Sequence, residues 1–185
     1  MWHLTIDSRE NLPLDIKPGA NISTVSVSKL PFGDYMARPD ENAPLWPVAW
    51  ERKGSKGDLW GTLTSGIDRF KREVERAKES NVTLYLGIEC SMTDIYKGYE
   101  HSEVLGSQII RTLFAFKVKH GVEPVFCGGR NELKYHIVEC FDALDRHYFA
   151  NKNSEQVSSL GVNQAIPVTE PLGSFGSDIM PEGDA

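Results

Sequence analysis

The chain has 185 residues, 40% of them hydrophobic and 25% charged, which suits one globular domain with an ordinary core plus additional chain. Lys and Arg total 20 against 26 Asp and Glu, a net charge of −6 that excludes a uniformly basic nucleic-acid coat. The acid is uneven: residues 151–185 hold one Lys and five acids, so residues 1–150 are close to neutral and can still carry a local basic face.

In chain order, residues 2–7 form a short apolar run ending in acid and read as a first strand. Residues 22–29 alternate Ile22, Val25 and Val27 with serines in a strand-like pattern. Pro31 and Gly33 punctuate, residues 34–37 start another strand, and the three prolines within 38–47 mark a long turn. Residues 48–53 resume a strand. A short helix is expected over 57–65, with Asp58 near its start. A second helix over 67–79 has Ile67, Phe70, Val74 and Ala77 on one stripe. Residues 82–90 alternate cleanly as a strand, and residues 91–101 read as polar and irregular. Helix returns over 107–120, closed by Gly121, then a strand over 122–127 and a turn at Gly128-Gly129. Asn131 is a fair N-cap for a last helix running to about Phe149. After residue 150 the chain is rich in Ser, Gly and Pro without period, and we expect a disordered acidic tail over 151–185. Early strands followed by alternating helix and strand predict an α/β fold with a mixed central sheet flanked by helices.

No run of about 18 apolar residues exists, and the first ten residues lack a basic start and a long apolar stretch. Cys90, Cys127 and Cys140 are odd in number and lack metal-ligand spacing, which points to core packing and an intracellular, reducing setting without a membrane.

The informative polar residues are Asp7, Asp34, Glu51 and Lys53. Glu51 and Lys53 are two apart on a strand and emerge on one face. If 34–37 and 48–53 pair as a hairpin, Asp34 converges on Glu51. Two converging carboxylates suit a hard divalent cation with positions left for water and phosphate. Such a metal is a Lewis acid for a scissile phosphate, and a neighbouring lysine can orient or deprotonate water and offset developing charge. Taken alone, Glu-x-Lys on one strand face is usually a solvated pair. Here polar residues gather where several apolar strands end, as at a cleft. In the long hairpin tip, Trp46 and Trp50 could stack on unpaired bases or equally lie in the core.

Beyond this reading, Gly33-Asp34, a gap, and then Glu51-Arg52-Lys53 with Asp58 after Gly57 resemble the GD…ERK signature of the XPF/Hef branch of PD-(D/E)XK nucleases. Asp7-Ser8-Arg9-Glu10, Arg69 and the strand ending Ile88-Glu89 extend that resemblance across about residues 2–149. It implies a restriction-endonuclease-like nuclease domain over 1–150 that cuts branched or flapped DNA with Mg²⁺ or Mn²⁺. Asp34 and Glu51 would be the principal metal ligands, Asp7 an additional acid at the metal, and Lys53 the catalytic lysine. Arg9, Arg52, Lys56 and Arg69 would contact DNA, while Gly33 and Asp58 complete the motif; for Asp58 a helix-capping role is favoured. Pairing of two nuclease domains, alike or different, would use 107–149. No paired Gly-x-Gly hairpin module and no nucleotide-binding P-loop accompany the motif. The competing expectation is a non-catalytic DNA-binding or nuclease-partner scaffold of the same fold, against which the intact signature weighs.

Overall fold

The computed structural model describes residues 1–149, so the expected acidic tail lies outside the described residues. Six strands form one sheet: β1 (Trp2–Asp7), β2 (Ile22–Ser28), β3 (Tyr35–Arg38), β4 (Val48–Lys53), β5 (Thr83–Ile88) and β6 (Glu123–Phe126). Their order is β2-β1-β3-β4-β5-β6. The expected hairpin is present: β3 runs antiparallel to β4, pairing Tyr35 with Trp50, and antiparallel to β1. β5 and β6 continue parallel to β4, and β2 lies parallel to β1 on the far edge.

Parallel neighbours need crossovers, and helices supply two of them. α1 (Lys56–Leu63) and α2 (Ile67–Glu79) connect β4 to β5, while α3 (Met92–Tyr96) and α4 (Gly106–His120) connect β5 to β6. The amphipathic stripe of α2 buries Phe70, Val74 and Ala77 against one sheet face. Met36, Ala49, Leu84, Leu86 and Ile88 supply the sheet side of that layer. The opposite face packs Trp2, Leu4, Ile6, Trp46 and Trp50 against α5 (Arg130–Ala143), through Leu133, Ile137 and Phe141. Each of these large side chains, withdrawn from water, contributes roughly 2 kcal/mol. Gly87 leaves room for this packing: a Cβ there would press on the Leu133 side chain, which would have to shift.

Three expectations are corrected. Residues 91–101 are not wholly irregular, because Ser91 accepts from the Asp94 N–H and caps the single turn of α3. Asn131 is not an N-cap; α5 begins one residue earlier, after Gly129. The last helix does not run regularly to Phe149 but widens into a π-type turn over Leu144–Phe149. Of the two placements open for Trp46 and Trp50, the core holds: they are 1% and 2% exposed, within the aromatic layer under α5. All three cysteines are free thiols. No helix among the described residues is long and apolar enough to cross a membrane.

Candidate active site

Strand alternation decides which charged groups meet. On β4, Ala49 faces the α2 layer while Trp50 faces the α5 layer. Glu51 and Lys53 continue the first set and Arg52 the second. Asp34 joins Glu51 because the turn before β3 folds against β4: the Asp34 N–H donates to the Trp50 carbonyl, and Asp34 Oδ2 accepts from the Arg52 N–H, both at 2.7 Å. Gly33 makes this turn possible. Its φ of +59° is a left-handed conformation, and a Cβ would stand 2.7 Å from the Trp50 carbonyl oxygen.

Asp34 and Glu51 share a hollow of about 710 Å³ with Asp7, Arg9, Arg69 and Glu73, which opens into a second, of about 550 Å³, beside Lys53 and Asp58. Lys53 Nζ donates to Glu51 Oε1 at 2.7 Å and lies 3.9 Å from Asp58 Oδ1. Burial, reinforced by the charge of Glu51, pushes the Asp34 carboxyl up to about 8. Glu51 is also raised, chiefly by burial, with Glu73 adding to the effect and Lys53 opposing it. Burial works against the Lys53 ammonium, but Glu51, Asp58 and Asp34 outweigh it and raise its pKa. These neighbours favour the charged form of Lys53.

This donor set fits a hard divalent cation. Two half-buried carboxylates repel each other beside Lys53, and a divalent charge would relieve both. Among the described residues, no cluster of three or more His, Cys, Asp or Glu side chains is arranged to hold a metal, so water and phosphate would complete the shell around Asp34 and Glu51.

Other expected site residues are placed differently. Asp7 lines the hollow, but Oδ1 accepts from the Arg9 N–H and Nε, and Oδ2 from Arg9 Nη2 and the Leu30 N–H. These bonds, the Arg9 side chain foremost, hold its carboxyl down at about 2. Its oxygens are engaged by Arg9 and the Leu30 N–H, and they hold the Arg9 side chain in place. Arg9 remains 63% exposed and is presented into both hollows, beside Arg69. Lys56 turns aside, donating to the Gly98 carbonyl in a separate hollow. Asp58 closes a reciprocal cap at the start of α1: Ser55 Oγ accepts from its N–H, and its carboxylate accepts from the Gly54 N–H. Arg52, expected at a phosphate, is buried between Glu10 and Glu89. Glu73 of α2 escaped sequence reasoning; its spacing four after Arg69, on the polar face of a helix following the motif, was the available signal.

A family model described as the ERCC4 domain matches residues 6–140. Among solved structures, XPF from Aeropyrum pernix aligns with a TM-score of 0.54 at 16% identity, covering 85% of this chain and 72% of that one. XPF from Aeropyrum pernix in complex with DNA aligns with a TM-score of 0.55 at 19% identity, covering 74% of this chain and 62% of that one. No curated protein matches the chain. At these identities the structural likeness shows a shared fold: an α/β, restriction-endonuclease-like mixed sheet with flanking helices.

Proposed function

The chain belongs to the ERCC4-domain family, a family of nucleases, and on that premise we propose that it is a metal-dependent endonuclease of branched or flapped DNA. The observation that carries this reading is the half-buried Asp34–Glu51 pair beside the Lys53 ammonium, at the mouth of a hollow edged by Arg9 and Arg69. Mg²⁺ or Mn²⁺ bound to that pair would supply Lewis acidity to a phosphodiester and acidify a water. The chain's own groups do the remainder. Lys53 offers a fixed positive charge to the phosphorane-like transition state, and its ion pair with Glu51 holds it in place. Arg9, steered by Asp7, and Arg69 seat the neighbouring phosphates. Burial of the acids keeps bulk water from screening these charges.

Incubation with fork, flap and plain duplex DNA, with Mg²⁺, Mn²⁺ or EDTA, tests the proposal. Metal-dependent internal cuts near the branch are expected, and Asp34→Asn and Glu51→Gln should abolish them. A wild-type chain that binds these substrates but cuts none would leave the scaffold reading in force.

Pairing through residues 107–149 belongs to the same proposal. An apolar hollow of about 650 Å³ lies between the sheet and α5, lined by Tyr85, Val125, Cys140 and Leu144. Phe114, Val118 and Tyr135 also leave large apolar surface exposed on α4 and α5. Sedimentation equilibrium at micromolar concentration should give a mass above the 20.7 kDa of one chain; a monomer throughout would end that part of the reading.

A further inference from the structure

We propose that Arg52 is a positioning residue for the acid pair: an internal clamp that ties three strand ends together and fixes where Glu51, Lys53 and Asp34 stand. The inference rests on the reading of Asp34 and Glu51 as a metal centre. Arg52 points away from that centre, and its side chain is 8% exposed. Its Nε donates to Glu89 Oε1 at 2.7 Å, and its Nη1 to Glu10 Oε1 at 3.3 Å.

The two carboxylates come from different strands. Glu10 follows β1, and its Oε1 also accepts from the Leu12 N–H at 2.7 Å, which stiffens the loop it stands on. Glu89 follows β5, its N–H donates to the Lys53 carbonyl at 3.0 Å, and its carboxylate is shared with Arg130 of α5 at 3.7 Å. One planar guanidinium thus cross-links the ends of β1, β4 and β5. The Arg52 N–H meanwhile holds Asp34 Oδ2. The residue between the two reactive positions of β4 therefore grips the frame with its side chain and an acid of the centre with its backbone. A phosphate contact would require that guanidinium to leave two carboxylates, with only Arg130 at 3.7 Å remaining to Glu89 and only the Leu12 N–H to Glu10.

Binding of Mn²⁺ alone, measured by calorimetry, and binding of a flapped duplex in EDTA across a salt series separate the two roles. Loss of a group that orients a ligand from behind weakens metal affinity by about 10-fold or more; that loss is expected for Arg52→Gln, with the slope of DNA affinity against salt unchanged. Loss of a phosphate contact lowers the slope by about one and leaves binding of metal alone intact; that result would overturn the proposal. Should Arg52→Gln fail to fold, Glu10→Gln carries the test. As the longer of the two contacts, it should weaken Mn²⁺ severalfold with the same salt slope, whereas a phosphate-seeking Arg52 released from Glu10 would tighten DNA binding. Arg52→Lys can meet one carboxylate but not both, and should recover part of the Mn²⁺ affinity. A wild-type chain that binds no Mn²⁺ removes the metal-centre reading and this inference with it. A wild-type chain that binds Mn²⁺, with variants that bind it equally well, removes the inference alone.

Discussion

At the end of β4, successive side chains enter opposite electrostatic regimes. Toward α5, Arg52 meets Glu10 and Glu89, and each buried charge has an opposite within hydrogen-bond reach. Toward α2, Asp34 and Glu51 share Lys53 and face a third acid, Glu73, across an open hollow. The first region is satisfied by the chain itself. The second is lined by Arg9 and Arg69 as well as by its acids, yet its two principal carboxyls are driven upward in pKa, not downward. A cation matched by carboxylates on both sides works as a strut; a carboxyl pair whose ionised form is disfavoured by its surroundings suits a divalent cation.

The sharpest way to break this contrast is at the reactive face. Lys53→Ala should lower cleavage by about 10²–10³ while leaving DNA affinity nearly unchanged, read by single-turnover kinetics on a flapped duplex. Asp34→Asn should abolish metal-dependent cleavage yet not destabilise the metal-free fold, because a neutral isostere removes buried repulsion. The pH dependence follows with a definite sign. The Asp34 carboxyl sits at about 8 when folded, against an ordinary 3.8, so its contribution is intact below the ordinary value and is lost as pH rises through about 8. Thermal melts of the metal-free protein should show that decline, and Mn²⁺ or Asp34→Asn should flatten it. Asp7, held at about 2, behaves oppositely: it stabilises above 3.8 and loses the effect as pH falls through about 2.

On the strut face, Glu89→Gln should cost about 3 kcal/mol in urea unfolding, since it leaves the Arg52 guanidinium short of its nearest carboxylate. At the turn between the regions, Gly33→Ala should cost about 2 kcal/mol, combining a left-handed φ with the clash at the Trp50 carbonyl. The exposed Lys97–Asp94 pair sets the floor. Lys97→Ala should change stability by less than about 0.5 kcal/mol.

Much of this was legible in the sequence because it is periodic or local. The limits of β1 and β4, the stripe of α2 and the shared face of Glu51 and Lys53 all follow from spacing two or three to four residues apart. The meeting of Asp34 with Glu51 needed only the hairpin assumption. What stayed hidden depends on strands remote in the chain. Nothing near Arg52 announces that Glu10 and Glu89 flank it, so its charge read as a phosphate contact. Nor does anything beside Asp7 announce that the Leu30 N–H, 23 positions on, shares its carboxylate with Arg9. α3 is too short to have a period, and the choice between tip and core for the two tryptophans turned on Phe141 of α5, which packs on Trp46, and on Tyr85, which stacks on Trp50 at 4.7 Å.

The strict alternation of β4 also protects the strand from mispairing. Sliding it by a single step along β5 would turn Glu51 and Lys53 into the oily layer beneath Leu133 and expose Trp50 where the acids belong. Few misfolds carry so immediate a penalty. The exposed tip over 40–44, short of the buried Trp46, can therefore tolerate added or lost residues, whereas one inserted inside 48–53 would exchange the two faces of the strand end and leave neither its anchor nor its chemistry intact.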